Sequence, residues 1–405
     1  MKPNTERIRT THTGSLPRPA EMLEALRERF ERGGQADEAA YEQALAANVR
    51  AIVRKQAEAG IDVVSDGECS KPSFMAYRAE RVGGFEPRIP KGGMPAPGPL
   101  DPNGRDATMF PDYYRGVQEH NPFARTVRVA PRVCVAPVQY TGQKFLQRDI
   151  ANLKQAMAGA GAAEGFMPSS SPIPNEANEH YKSEEAYFEA HGEAMREEYK
   201  AILEAGLFLQ IDDPRMVSSW DSRKDMDLAR YRAWMQRRIE FLNHALRGLP
   251  EERIRYHTSY GVNFGPRLSD LQLDQVLDLI YTIRAGAYSF EAANPRHDHE
   301  WRVAQKLKLP EGKTLIPGAI THSNVTIEHP EVVADRIERW ARAAGRENVM
   351  FGNDCGFASS AGNTEIPESV AWAKLAALGE GARIASGRLW ASSPRARQDL
   401  RLPDR

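Results

Sequence analysis

At 405 residues the chain has length for two or three average domains, or for one α/β barrel with insertions. Its 54 basic and 55 acidic residues leave a net charge of −1 with no basic stripe, which excludes nucleic acid or an anionic membrane as a main partner. No apolar run approaches a bilayer span, the first residues lack the apolar core of a signal peptide, and three cysteines do not make a disulfide framework. A cytoplasmic protein with reduced thiols is expected.

Eight short apolar, β-branched runs follow one another: 61–65, 132–138, 163–167, 207–211, 254–257, 287–290, 315–320 and 349–351. Stretches of helical period lie between them, at 38–59, 183–205, 228–247, 271–285 and 330–344. Ser183 before Glu184-Glu185 reads as an N-cap with acidic residues in the first turn, and Gly60 and Gly206 read as C′ glycines. Repeated βα units with eight strands predict one (β/α)8 TIM barrel over residues 1–405. The Gly/Pro-rich stretch at about 83–131 reads as a long irregular insertion after the first strand, lying at the active-site face and offering Phe110, Tyr113 or Tyr114 to enclose a substrate.

In such a barrel the chemistry sits at the carboxyl ends of the strands. The predicted runs end in Asp66-Gly67-Glu68, Ser169-Ser170-Ser171, Asp212-Asp213-Pro214, His257-Thr258-Ser259, Glu291, Thr321-His322-Ser323 and Asn353-Asp354-Cys355-Gly356, whereas their amino ends carry no comparable set. An imidazole, a carboxylate and a thiol from His257, Glu291 and Cys355 are the donors that zinc takes, three protein ligands with one position open. Each has a plainer reading: Cys355 as a packed small residue, His257 as a buried imidazole with partners, Glu291 as a paired or protonated acid. Glu68 suits a substrate ammonium, or else pairs with Arg18 or Arg78. The run His297-Asp298-His299-Glu300 reads as a surface loop or helix start, and Cys69 and Cys134 read as packed thiols.

The motifs Thr10-Thr11-His12-Thr13-Gly14-Ser15-Leu16-Pro17-Arg18-Pro19, Asp66-Gly67-Glu68, Gln210-Ile211-Asp212-Asp213-Pro214, His257-Thr258-Ser259, Glu291, His322-Ser323 and Asp354-Cys355-Gly356 resemble, in order, those of the cobalamin-independent methionine synthase superfamily. The resemblance is to its single-barrel members and runs from Arg9 to about Trp390. It implies zinc held by His257, Glu291 and Cys355, with Ser259 standing where the family has a further cysteine ligand. It also implies a thiol amino-acid site around Ser15, Glu68, Asp212 and Ser259, with catalytic roles for Asp212 and for a proton-handling His322. The expected reaction is zinc-dependent transfer of a methyl or other alkyl group to a small thiol, homocysteine by default. With Ser259 for cysteine the thiolate is less activated, which suits an electrophilic donor such as the epoxide of the related epoxyalkane:coenzyme M transferases, or a methyl-corrinoid. Two alternatives stand beside it: a metal-free lyase or hydrolase using Glu291 and His322 as acid and base, and a barrel that only binds a small molecule. The alkyl donor and the oligomeric state are not legible in the sequence.

Overall fold

The computed structural model describes residues 4–32, 37–91, 93–94, 103–261 and 265–391. Its strands, in chain order, are β1 (Arg9–Thr10), β2 (Val63–Val64), β3 (Val82–Pro87), β4 (Arg132–Tyr140), β5 (Glu164–Ser170), β6 (Ala177–Asn178), β7 (Phe208–Asp212), β8 (Ile254–His257), β9 (Ala287–Phe290), β10 (Thr314–Ile320) and β11 (Met350–Asn353). Eight of them form a sheet in the order β1-β11-β10-β9-β8-β7-β5-β2, parallel throughout. Its two edges meet where Asp62 N donates to Thr10 O at 3.1 Å and Thr11 Oγ1 donates to Val63 O at 3.0 Å. The result is the expected (β/α)8 barrel.

One predicted barrel strand is elsewhere. The run at 132–138 belongs to β4, which pairs antiparallel with β3 and parallel with the short β6 in a separate three-stranded sheet. Its residues are only partly buried, as fits a side sheet, whereas barrel strands such as β7 and β8 are buried along their whole length. The vacant place is filled by β1, whose two residues are too few and too polar to stand out as an apolar run. Tertiary contacts hold it: Arg9 pairs with Glu164, and Thr10 N donates to Asp62 Oδ2 at 2.8 Å. Because β1 opens the barrel, the stretch after β2 follows the second strand rather than the first. That stretch is also less irregular than expected, since it contains β3 and the helices Arg105–Met109 and Pro111–Glu119.

The helices at Glu38–Glu58, Glu184–Glu204, Leu228–Ala245 and Pro330–Ala344 match their expected positions closely. Ser183 Oγ accepts from Ala186 N at 3.2 Å, and Gly60 and Gly206 take φ of 80° and 89°, left-handed values that favour glycine at C′. The stretch 271–285 departs from expectation, giving only a 3₁₀ turn at Leu273–Gln275 and one helical turn at Leu277–Ile280. Its backbone is drawn off by side chains: Glu300 Oε1 accepts from Leu273 N and Gln275 Oε1 from Gln272 N, so apolar residues at helical spacing are buried without a long helix.

Inside the barrel, Val63, Phe166, Phe208, Ala287, Ile316 and Met350 form their own apolar cluster, one residue from each of six strands. Arg255 of β8 lies fully buried among them, its guanidinium against the Phe166 ring at 4.0 Å and bonded to Thr11 Oγ1 (2.9 Å) and His12 O (2.8 Å). Burial pushes it down to about 9, and these contacts tie β8 across the barrel to the turn after β1.

Candidate active site

A cavity of about 480 Å³ opens at the carboxyl ends of the barrel strands. Ser15 reaches it from the turn after β1, Glu68 from that after β2, Asp212 from the end of β7, His257 and Ser259 from β8, and Cys355 from the turn after β11. Ser15 comes so close to Gly356 that a Cβ there would lie 1.9 Å from its Oγ, so the glycine is required by packing. The stretch after β2 contributes Asp106 and Tyr114, while Phe110 and Tyr113 stay outside the lining.

Glu68 stands in the left-handed region at φ 57°. Neither proposed arginine takes its carboxylate: Arg18 donates to the carbonyls of Leu16, Glu68, Lys71 and Ala358, and Arg78 bonds Glu176. Glu68 Oε2 is buried without a partner. Asp212 Oδ1 accepts from Gln210 Nε2 at 2.7 Å. Burial and then the neighbouring Glu68 carboxylate raise Asp212 well above the usual carboxylate range, and burial raises Glu68 as well. Two acids against the one buried ammonium of Lys71 favour a further, incoming cation.

On the same lining, His257 Nδ1 lies 3.3 Å from Ser289 Oγ, and its Nε2 is buried without a partner. Burial, with Arg255 and His322 nearby, pushes this imidazole down to about 3, so it is neutral. Cys355 Sγ donates to Ser259 Oγ at 3.3 Å, and burial followed by the Glu291 charge pushes the thiol up to about 12. Cys69 is fully buried and pushed up to about 12 by burial, and Cys134 Sγ donates to Ala136 O.

Glu291 and His322 are buried outside the lining. Glu291 Oε1 accepts from Tyr260 N at 2.7 Å, and Oε2 accepts from Asn294 Nδ2 at 2.8 Å and pairs with Arg267 Nη1 at 2.9 Å. His322 Nε2 donates to Gly261 O at 3.3 Å and its Nδ1 has no partner, while burial pushes it down to about 4. Asp354 Oδ1 accepts from Ala292 N and Ala293 N, leaving Oδ2 unpartnered. Arg267, which sequence reasoning missed, lines the cavity at φ 56°, bonds Asp270 Oδ2 at 2.9 Å and packs over Tyr260. The expected surface run is also corrected: His297 and Glu300 are buried, because His297 bridges Glu300 Oε2 (2.9 Å) and Asp270 Oδ2 (3.2 Å) and stacks on Tyr260 with ring centroids 4.0 Å apart.

The family description "Cobalamin-independent synthase, Catalytic domain" matches residues 8–94. A methionine synthase of Saccharolobus islandicus is 25% identical over 381 residues, 93% of this chain and 94% of its own length. One of Sulfurisphaera tokodaii is 23% identical over 93% of this chain and 91% of its own. A B12-independent methionine synthase from Shewanella sp. W3-18-1, solved with selenomethionine, has the same fold at TM-score 0.71 and 21% identity, covering 95% of this chain and 99% of that one. The chain is similar to cobalamin-independent methionine synthases over nearly its whole length.

His257 Nε2 and Cys355 Sγ suit a borderline-soft cation. Glu291 does not, because a guanidinium and two N–H donors already hold its carboxylate. Among the described residues, the group of potential ligands whose atoms all lie within 4.8 Å of one another is Glu291, His322 and Asp354. That group is able to hold a metal ion, but it excludes His257 and Cys355, and Arg267 already supplies a cation beside it. The set His257, Glu291 and Cys355, as arranged here, does not fit a shared zinc ion.

Proposed function

We propose that the cavity transfers a methyl or other alkyl group to the thiol of a small amino-acid acceptor of homocysteine type. The observation that carries this reading is the Glu68–Asp212 pair, two buried carboxylates on the cavity wall, one with an unpartnered oxygen, which suit a substrate ammonium. The names of the superfamily relatives supply the reaction class.

Transfer requires the thiol to lose its proton as the carbon–sulfur bond forms and the donor's leaving group departs with the electron pair of the broken bond. His257 Nε2 is positioned to accept that proton, while Ser15 and Ser259 hydroxyls orient the acceptor on the same wall. Cys355, protonated and bonded to Ser259, fixes that hydroxyl. A neutral, weakly basic His257 activates sulfur modestly, which favours an electrophilic donor such as an epoxide or a methyl-corrinoid over an unactivated N-methyl amine. His322, beside Glu291 and Asp354 behind the cavity wall, suits holding a proton there rather than direct contact with the substrate.

The proximity of Glu291, His322 and Asp354 also favours a second reading, a metal-free acid–base lyase or hydrolase. Incubation of the full chain with homocysteine and methyl or epoxide donors, with and without added zinc, separates the two. S-alkyl homocysteine is expected. Failure to form any S-alkyl product with homocysteine-type thiols under all these conditions would sink the transfer reading.

A further inference from the structure

A second cavity of about 470 Å³ adjoins the first and shares Arg215 and Ser219 with it. Arg223 and Arg238 also line it, and both guanidiniums lie against one indole, Trp234, at 4.9 and 4.5 Å from its centroid. Other buried arginines of this chain are matched to acids, as Arg81 is to Asp149 and Glu198, or to backbone carbonyls, as Arg18 is to those of Leu16, Glu68, Lys71 and Ala358. Here, among the described residues, none of the three guanidiniums has a carboxylate within ion-pair distance or a side-chain hydrogen bond, and Arg238 Nε is buried without a partner. The acids on the same wall are taken: Glu176 pairs with Arg78 and Arg132, and Glu184 lies 3.9 Å from Arg237. Asp213, whose charge is felt by Arg215 and Arg238, accepts from Ser171 and is raised by burial.

Guanidiniums crowded in this way repel one another. Desolvation on the cavity wall lowers Arg238 and the more exposed Arg215 from the usual arginine range; Arg78 and Arg238 lower the first further and Arg223 the second, while the Asp213 charge opposes both. Solvation of arginine stems explains one such residue, but not three converging on a concave wall of a chain as rich in acids as in bases. Planar forks held by a rigid aromatic are prearranged for bidentate oxyanion recognition.

We infer that this cavity binds the oxyanion end of an extended substrate, phosphoryl or carboxylate in kind, whose other end reaches the catalytic cavity past Arg215 and Ser219. The inference does not depend on thiol alkylation, because anion binding is measured without turnover.

The test is calorimetric titration of the full chain with inorganic pyrophosphate and, separately, with tricarballylate, at low ionic strength. One-to-one binding is expected for at least one of them, with a rise in melting temperature. The tighter of the two tells a phosphoryl from a carboxylate end. The double variant R223Q/R238Q should lose at least about tenfold in affinity, as loss of charge-assisted bidentate contacts implies. The variant R383Q, which removes an exposed arginine paired with Glu380, should bind like the parent. R238K, keeping the charge without the fork, should fall between and serves as the check should the double variant be poorly folded. Binding of both anions weaker than about 10 mM, or equal binding by R223Q/R238Q and R383Q, would overturn the inference.

Discussion

Replacing Arg267 by alanine removes the cation that sits between Glu291 and Asp270. Arg267 is 5% exposed, and Glu291 is fully buried as the other half of their 2.9 Å pair. Breaking such a pair from one side leaves an uncompensated buried charge and costs about 3–5 kcal/mol. A chain of this length unfolds with an entropy near 0.8 kcal/mol per kelvin, so the melting temperature should fall by about 4–6 °C. Removing the guanidinium also opens Glu291 towards a metal. Zinc should therefore stabilise Arg267→Ala more than the parent, and the parent purified without chelators should carry little zinc. Differential scanning calorimetry with and without zinc measures all of this. A loss below about 1 kcal/mol, or a full equivalent of zinc in the parent that His257→Ala removes, would refute the assignment of Arg267 as the resident cation.

Glu68→Gln should raise KM for an amino-acid thiol by about ten- to a hundredfold with a smaller change in kcat, checked by steady-state kinetics; an unchanged KM would remove Glu68 from ammonium binding. Gly356→Ala places a Cβ 1.9 Å from Ser15 Oγ and should cost about 1–3 kcal/mol in denaturant unfolding while impairing activity. His297 is raised to about 9 because, against burial, the hydrogen bonds it donates to Asp270 and Glu300 favour its charge. A raised histidine stabilises fully below its unfolded value near 6.5 and loses that contribution as pH climbs through about 9, so stability should drop by roughly 3 kcal/mol between these limits. His297→Gln should flatten that slope in pH-dependent unfolding. Tyr114→Ala should raise KM and, because Tyr114 is itself buried, also lower the melting temperature by a few degrees, checked by kinetics and thermal unfolding.

The order of apolar runs and the polar residues closing them made the barrel and most of the cavity wall legible, because strand ends are local in sequence and the fold puts chemistry there. Ser15, Glu68, Asp212, His257, Ser259 and Cys355 share one lining for that reason. Two kinds of feature escaped. β1 has too few residues to carry a periodic signal and exists through its bonds to β11 and Asp62, while β4 shows a strand's signal that says nothing about which sheet it joins. Charge pairing across the chain was likewise invisible: Arg267 reaches Glu291 from a separate loop, and His297 finds Asp270 across 27 residues. By itself the sequence determined which groups stand at the mouth of the barrel. Only the tertiary structure decided which of them touch, since ligand reach, ion pairing and burial depend on distances of a few ångströms between segments that no local pattern encodes.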